Sequence, residues 1–274
     1  MTAPVRAAAL VMALGLLLAA CGGPVTTPTT TPTPAPPATP TPTAVPEAPQ
    51  VLARAIAQVS APRTYRFVNE VYSGDTLVER STGEFVAPDR LRVLREDGEG
   101  RVLDRVVVGD TLYLRTGDGG WQSFPYTPSG DQLSPLVRLA DQYLGALVDP
   151  RVVGQEALDG TAVLHLRGGS DMARKALEFW PEDPPLPPNI PADQQEAARE
   201  QFRQEFRRQR EWYARGSETV DVWVGVEDGL VRRAVVLTQV PEYQDLGAQV
   251  RRITIEFSDY GAPLQVAPPP DAAG

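Results

Sequence analysis

The thiol and the imidazole, which serve as nucleophile, general base and metal ligand near neutral pH, each occur once in this 274-residue chain: Cys21 and His165. A lone thiol makes no internal disulfide, and one cysteine with one histidine cannot close a zinc site. His165 lies in an alternating segment where Leu164 and Leu166 point one way and the imidazole the other, and no serine or cysteine nucleophile can be placed beside it. The glycine pairs Gly22-Gly23, Gly119-Gly120 and Gly168-Gly169 read as tether or turn residues, not as a phosphate-binding loop. Aspartate and glutamate are scattered through loops and exposed faces, where water is their usual partner. The expectation is a protein that is not an enzyme and needs no cofactor or metal.

Cys21 has a particular setting. Arg6 precedes an apolar run over residues 7–20, about 14 residues, too short to span a bilayer but right for the core of a secretory leader. Leu18-Ala19-Ala20-Cys21 resembles the bacterial lipobox, which implies a diacylglycerol on the Cys21 sulfur and removal of residues 1–20. The alternative is an ordinary leader cleaved near Ala20, leaving a free thiol. With the lipid, the chain attaches to the outer face of the cytoplasmic membrane, or to an outer membrane where there is one. Residues 21–49 are almost wholly Thr, Pro, Ala and Val after the first few positions; such a tract buries no core and favours extended polyproline geometry, so it reads as a tether. Loss of Arg6 takes the formal charge from −9 to −10, which excludes nucleic acid as a partner.

One domain is expected over residues 50–266, with 267–274 a disordered tail. Residues 49–61 carry Leu52, Ala55, Ile56 and Val59 at helical spacing. Short Val-, Leu-, Tyr- and Phe-rich segments follow at 64–73, 76–79, 82–86, 90–95, 102–108, 111–116 and 121–124, separated by Gly, Asp and Pro turns, as in an antiparallel meander. Ser134 and Pro135 start a helix predicted over 134–147, with Leu136, Leu139, Ala140, Tyr143, Leu144 and Leu147 as its apolar stripe and Asp149-Pro150 as its stop.

Turn chemistry predicts the faces. Asp159-Gly160 reads as a two-residue hairpin turn that sets Val153 opposite Leu166 and Gln155 opposite Leu164. Asp228-Gly229, read the same way, puts Val220, Val222, Val224 and Val226 opposite Leu237, Val235, Arg233 and Val231. Gly109-Asp110 places Leu103, Val107, Leu112 and Leu114 on one face together with Arg105, and pairs Asp104 with Arg115 on the other. A last strand over 249–257 turns Ile253, Ile255 and Phe257 inward. The inner face, Leu164, Leu166, Val222, Val224, Ile253 and Ile255 around Leu139, Tyr143, Leu144 and Leu147, is either a packed core or the lining of a site for an apolar ligand.

Residues 171–216 interrupt neighbouring strands. They read as a helix over 171–179, a proline-rich link, and a helix over 193–214 started by an acidic capping box of Asp193 and Glu196. With Phe202, Phe206 and Tyr213 near one side and Arg203, Arg207, Arg208 and Arg210 on the others, the second helix is expected to be a lid over the inner face or a contact with anionic lipid.

The succession Tyr65-Arg-Phe, Ala87-Pro-Asp-Arg, Val108-Gly-Asp-Thr-Leu-Tyr, Gly120-Trp, Val153-Gly-Gln-Glu-Ala-Leu-Asp-Gly, Val222-Trp-Val and Phe257-Ser-Asp-Tyr-Gly resembles that of LppX/LprG-type envelope lipoproteins and, more distantly, the LolA carriers. The resemblance implies an α+β fold: a strongly curved antiparallel sheet, an incomplete β-barrel, with helices packed on its concave face around a lipid-binding cavity. It implies a lipid or lipidated ligand, carried or transferred in the cell envelope. The same fold also serves envelope sensing and assembly through protein binding, and the sequence identifies no protein partner.

Overall fold

A computed structural model describes residues 46–127, 133–243 and 247–270. The leader, Cys21 and the tether as far as residue 45 lie outside the described residues. Helix α1 (Ala48–Gln58) leads into six strands: β1 (Thr64–Ser73), β2 (Thr76–Val86), β3 (Arg90–Asp97), β4 (Val102–Val108), β5 (Thr111–Thr116) and β6 (Gln122–Pro125). Helix α2 (Pro135–Leu139) follows and runs into a π-helical turn over Ala140–Leu144. Then come β7 (Leu147–Leu158), β8 (Thr161–Ser170), α3 (Met172–Phe179), α4 (Gln195–Tyr213), β9 (Ser217–Gly225), β10 (Val231–Val240) and β11 (Gln249–Ser258).

Among the described residues the eleven strands form one antiparallel sheet in the order β6-β5-β4-β3-β2-β1-β11-β10-β9-β8-β7. Two meanders, β1–β6 and β7–β11, meet where β1 pairs with β11. The sheet stays open, with β6 and β7 at its edges. Leu91 and Val107 of β3 and β4 share one buried cluster with Leu164 and Leu166 of β8, through α1 and the α2 segment. Seven strand spacings would hold β4 about 34 Å from β8 in a flat sheet, so the sheet curls strongly around these short helices. The class is α+β, with α1 and α2 on the concave face.

Several boundaries and registers differ from the sequence expectation. The helix predicted over 134–147 ends at Leu144, where Gly145 N–H closes a π-type bond to Ala140 O (2.8 Å). Leu147 therefore starts β7 instead of extending the helical stripe. Asp149 and Pro150, the expected stop, sit inside β7 at an irregularity between Val148 and Arg151, with Asp149 in the left-handed region (φ 49) that aspartate tolerates.

The Asp159-Gly160 turn forms as expected, both residues having positive φ (48 and 79), and Gln155 faces Leu164. A bulge between Val152 and Gly154 then puts Val152, not Val153, opposite Leu166. At Asp228-Gly229 the expectation fails by one residue. The Asp228 carboxylate accepts from Leu230 N–H (3.0 Å), Gly225 N–H donates to Leu230 O (2.8 Å), and a longer loop replaces the two-residue turn. Val220, Val222 and Val224 remain inward, but their inner-face companions on β10 are Val231, Ala234 and Val236, while Arg233 and Val235 turn outward. Helix α4 starts from a 3-10 turn (Ala192–Gln194) without a side-chain cap, and Glu196 pairs with Arg199 (3.2 Å) instead of closing a capping box. Within the tail expected to be disordered from residue 267, Pro269 is still buried.

Candidate ligand-binding site

Strand register lets the concave face be read in rows. One row crosses the sheet as Leu103, Arg95, Ser81, Asn69, Ile255, Ala234, Val222 and Leu166. The next runs Leu114, Arg105, Val93, Gly83, Phe67 and Phe257. Gly83 is required there, because the Phe67 ring lies across its Cα and a Cβ would overlap that ring. In these two rows the positions on β8–β11 are apolar, whereas those on β1–β4 include Arg95, Ser81, Asn69 and Arg105; the parallel row Tyr65, Phe85, Leu91 and Val107 on β1–β4 is apolar and buried.

The α2 segment faces both halves. Leu136, Ala140 and Leu144, spaced by four, are buried in the core. Pro135, Arg138, Leu139, Asp141, Gln142 and Tyr143 line a cavity of about 730 Å³ between this segment and strands β1–β4 and β11. The segment is anchored at its start: Ser134 Oγ accepts from Val137 N–H (3.4 Å), Tyr65 Oη lies 2.7 Å from Ser134 Oγ, and Leu136 N–H donates to Tyr65 Oη (3.3 Å). Burial pushes the Tyr65 phenol up to about 12, and the Ser134 bond offsets part of that rise.

The cavity's sheet wall comprises Phe67, Asn69, Glu79, Ser81, Leu91, Val93, Arg95, Leu103, Arg105, Ile253 and Ile255, with Tyr126 and Leu133 at the link between β6 and α2. Residues 128–132 of that link lie outside the described residues. Arg95 pairs with Glu79 (2.6 Å). Arg105 Nη2 donates to Tyr126 Oη (3.1 Å), while Arg105 Nε and Asn69 Oδ1 are buried with no hydrogen-bond partner among the described residues. Behind the wall, Lys175 of α3 holds its Nζ 4.6 Å from the centre of the Tyr143 ring and pairs with buried Glu218. Glu218 also accepts from Ser170 Oγ (2.6 Å) and Thr238 Oγ1 (2.9 Å). Burial raises the Tyr143 phenol, and the Glu218 charge adds to the rise.

Four of the ten ligand-site residues expected from the sequence, Leu139, Tyr143, Ile253 and Ile255, line the cavity. Leu144, Leu164, Leu166, Val222 and Val224 lie instead in the filled core, and Leu147 packs at its edge against Gly168. The most apolar residues are the ones that close on one another, which leaves no space beside them. Phe67, Asn69, Ser81 and Arg105 were missed, although the Gly109-Asp110 turn had already put Arg105 on the inner face, and the observed pairs Val107/Leu112 and Arg105/Leu114 match that register.

No residue of 171–216 lines the cavity, so the insertion does not form the expected lid. Met172, Lys175 and Ala176 of α3 are buried in the body, whereas α4 has no buried residue. Its ties run to the neighbouring link and to the residue after β10: Arg210 Nη1 donates to Trp180 O (2.9 Å), Trp212 Nε1 to Pro241 O (2.7 Å), and Arg203 pairs with Asp183 (3.1 Å). His165 lies on the outer face, stacked on Trp223 with 4.3 Å between ring centres and 2.6 Å from Asp221 Oδ1. Among the described residues no group of three His, Cys, Asp or Glu is placed to hold a metal, and no helix is long and apolar enough to cross a membrane.

No family model and no curated protein matches the chain. Several solved structures are similar to it. Lipoprotein LppX of Mycobacterium tuberculosis is 14% identical, with 80% of this chain and 99% of that one covered and a TM-score of 0.46. LprF of Mycobacterium bovis is 14% identical over 81% of this chain and 96% of its own, with a TM-score of 0.48. A LolA superfamily protein of Nitrosomonas europaea is 10% identical over 83% and 96%, with a TM-score of 0.26.

Proposed function

We propose that this chain is an exported protein, anchored to a membrane through lipid on Cys21, that binds a lipid or lipoconjugate non-covalently and carries it in the cell envelope. One observation carries the reading: a cavity of about 730 Å³ between the α2 segment and the hollow half of the sheet, with Phe67, Leu91, Val93, Leu139, Ile253 and Ile255 in its wall. Small-molecule sites typically enclose about 300–1,000 Å³ and combine apolar walls with a few placed polar groups. The Thr/Pro tract between Cys21 and α1 would hold the cavity away from the anchoring bilayer.

Native mass spectrometry of the chain from Gly22 onward, followed by organic extraction, tests the reading. Co-purifying lipid mass that disappears on extraction is expected, and Leu139→Trp, which fills the cavity, reduces its occupancy several-fold. An apo mass together with no uptake from lipid vesicles would overturn the carrier reading and leave an envelope sensor or scaffold.

A further inference from the structure

The charges of the cavity wall are matched unequally. Arg95 has Glu79, and Arg138 and Asp141 are exposed at the rim where water serves both. Arg105 stands deeper, between Val93 and Leu114 of the neighbouring strands. Its Cζ lies 5.4 Å from the centre of the Tyr126 ring, its Nη2 is spent on the Tyr126 hydroxyl, and its Nε–H is buried with nothing to donate to among the described residues. Asn69, three strands nearer β11 and lining the same cavity, has its buried Oδ1 in the same condition. A side-chain amide presents either end after a half-turn without changing its shape, so Asn69 can offer a donor or an acceptor.

An Nε–H held out of water without an acceptor is costly, and leucine at the same position would avoid that penalty. The arrangement is favourable once an oxyanion enters with the ligand, because hydrogen bonds from Arg to an anionic oxygen are short and strong. Building on the lipid-binding reading above, we propose that the ligand is an acidic amphiphile whose carboxylate or phosphate monoester lies inside the cavity against Arg105 and Asn69. Its chain then runs along Phe67, Leu139 and Ile255 beneath the α2 segment.

Calorimetric titration of the chain from Gly22 onward with oleic acid, oleyl phosphate and oleyl alcohol separates the possibilities. At least one acid should bind about tenfold or more tightly than the alcohol, and the tighter of the two identifies the head group. Arg105→Met should abolish that preference while leaving alcohol binding intact, which also reports that the variant is folded; Arg105→Lys, which keeps the charge but not the fork, should retain part of it. Equal binding of acids and alcohol by the native chain overturns the acidic head and spares the lipid reading, whereas failure of all three to bind overturns both. The 128–132 link contributes one carboxylate, Asp131. Asp131→Asn should leave the preference in place; a preference seen only in that variant would mean that Asp131 occupies Arg105, and would overturn the proposal.

Discussion

The concave face has two halves that meet where β1 pairs with β11, and they solve the same packing problem differently. On β8–β11 a single row reads Ile255, Ala234, Val222 and Leu166; continued onto β1–β4 it reads Asn69, Ser81, Arg95 and Leu103. Leu136, Ala140 and Leu144 close on the apolar half, together with α1, which is pinned there by Arg54 donating to Val226 O (3.0 Å). Tyr65, Phe85, Leu91 and Val107 of β1–β4 join that closed cluster, but a leucine stripe cannot close on the rows that carry Asn69, Ser81, Arg95 and Arg105, because a buried donor or acceptor left unpaired costs about 1–3 kcal/mol. The space over β1–β4 is thus a consequence of row composition. One half of the sheet buys rigidity for the other, whose wall keeps its polar groups available.

The strongest way to break this contrast is truncation on each side of the β1–β11 seam. Leu166→Ala opens a void in a region where Leu166 and Val222 are both at 0% exposure, and should destabilise the protein by about 2–5 kcal/mol. Ile255→Ala removes atoms that already border space, and about 1 kcal/mol is expected. Urea unfolding at constant m-value measures both. Equal losses would mean that the two halves are packed alike.

Which parts of this division could be read from the sequence follows from the turns. Asp159-Gly160 and Gly109-Asp110 set the registers of β7–β8 near the turn and of β4–β5 throughout, because short loops leave the strands little freedom. Asp228-Gly229 misled, since a carboxylate that captures its own Leu230 N–H makes a longer loop from the same dipeptide, and one residue of slip exchanges Arg233 with Ala234. Helix α2 was legible at Ser134 and Pro135 but not at its end, where nothing in 145–150 announces that β7 begins at Leu147. The cavity itself was not legible for a physical reason: choosing the most apolar inner residues selects those that fill space, whereas this cavity is bordered by inward polar residues such as Arg105.

Tyr65 stands on β1, beside the seam, and tests the second-largest effect. Its folded phenol is raised to about 12 by burial, against about 10 in an unfolded chain. The unfolded state therefore loses its proton first, and stability is full below pH 10 and falls as pH rises toward 12. The part due to Tyr65 should reach about 2–3 kcal/mol over that window. The difference between native protein and Tyr65→Phe in urea unfolding at pH 9 and pH 12 isolates it. A difference that does not change with pH would mean that the start of α2 admits water and that the seam is not closed there.

The smallest effect is the most diagnostic of why the polar half exists. Asn69 faces Ser81 on one side and Ile255 on the other, so it is the first polar residue met on leaving the apolar half along the row. Replacing it with leucine continues the apolar row by one strand and removes a buried acceptor that has no partner among the described residues. Substituting an unpaired polar group with an apolar one of similar volume is close to neutral or slightly stabilising, within about 1 kcal/mol. Asn69→Leu should thus leave the ligand-free protein as stable as before or a little more so, while weakening acid binding several-fold, the usual exchange of stability against a binding site. Thermal unfolding of delipidated protein and the same calorimetric titration give the two numbers. A loss of more than about 2 kcal/mol would show that Asn69 is a structural hydrogen-bonding residue, in which case the polar half is held together by its own side chains and not kept open for a ligand.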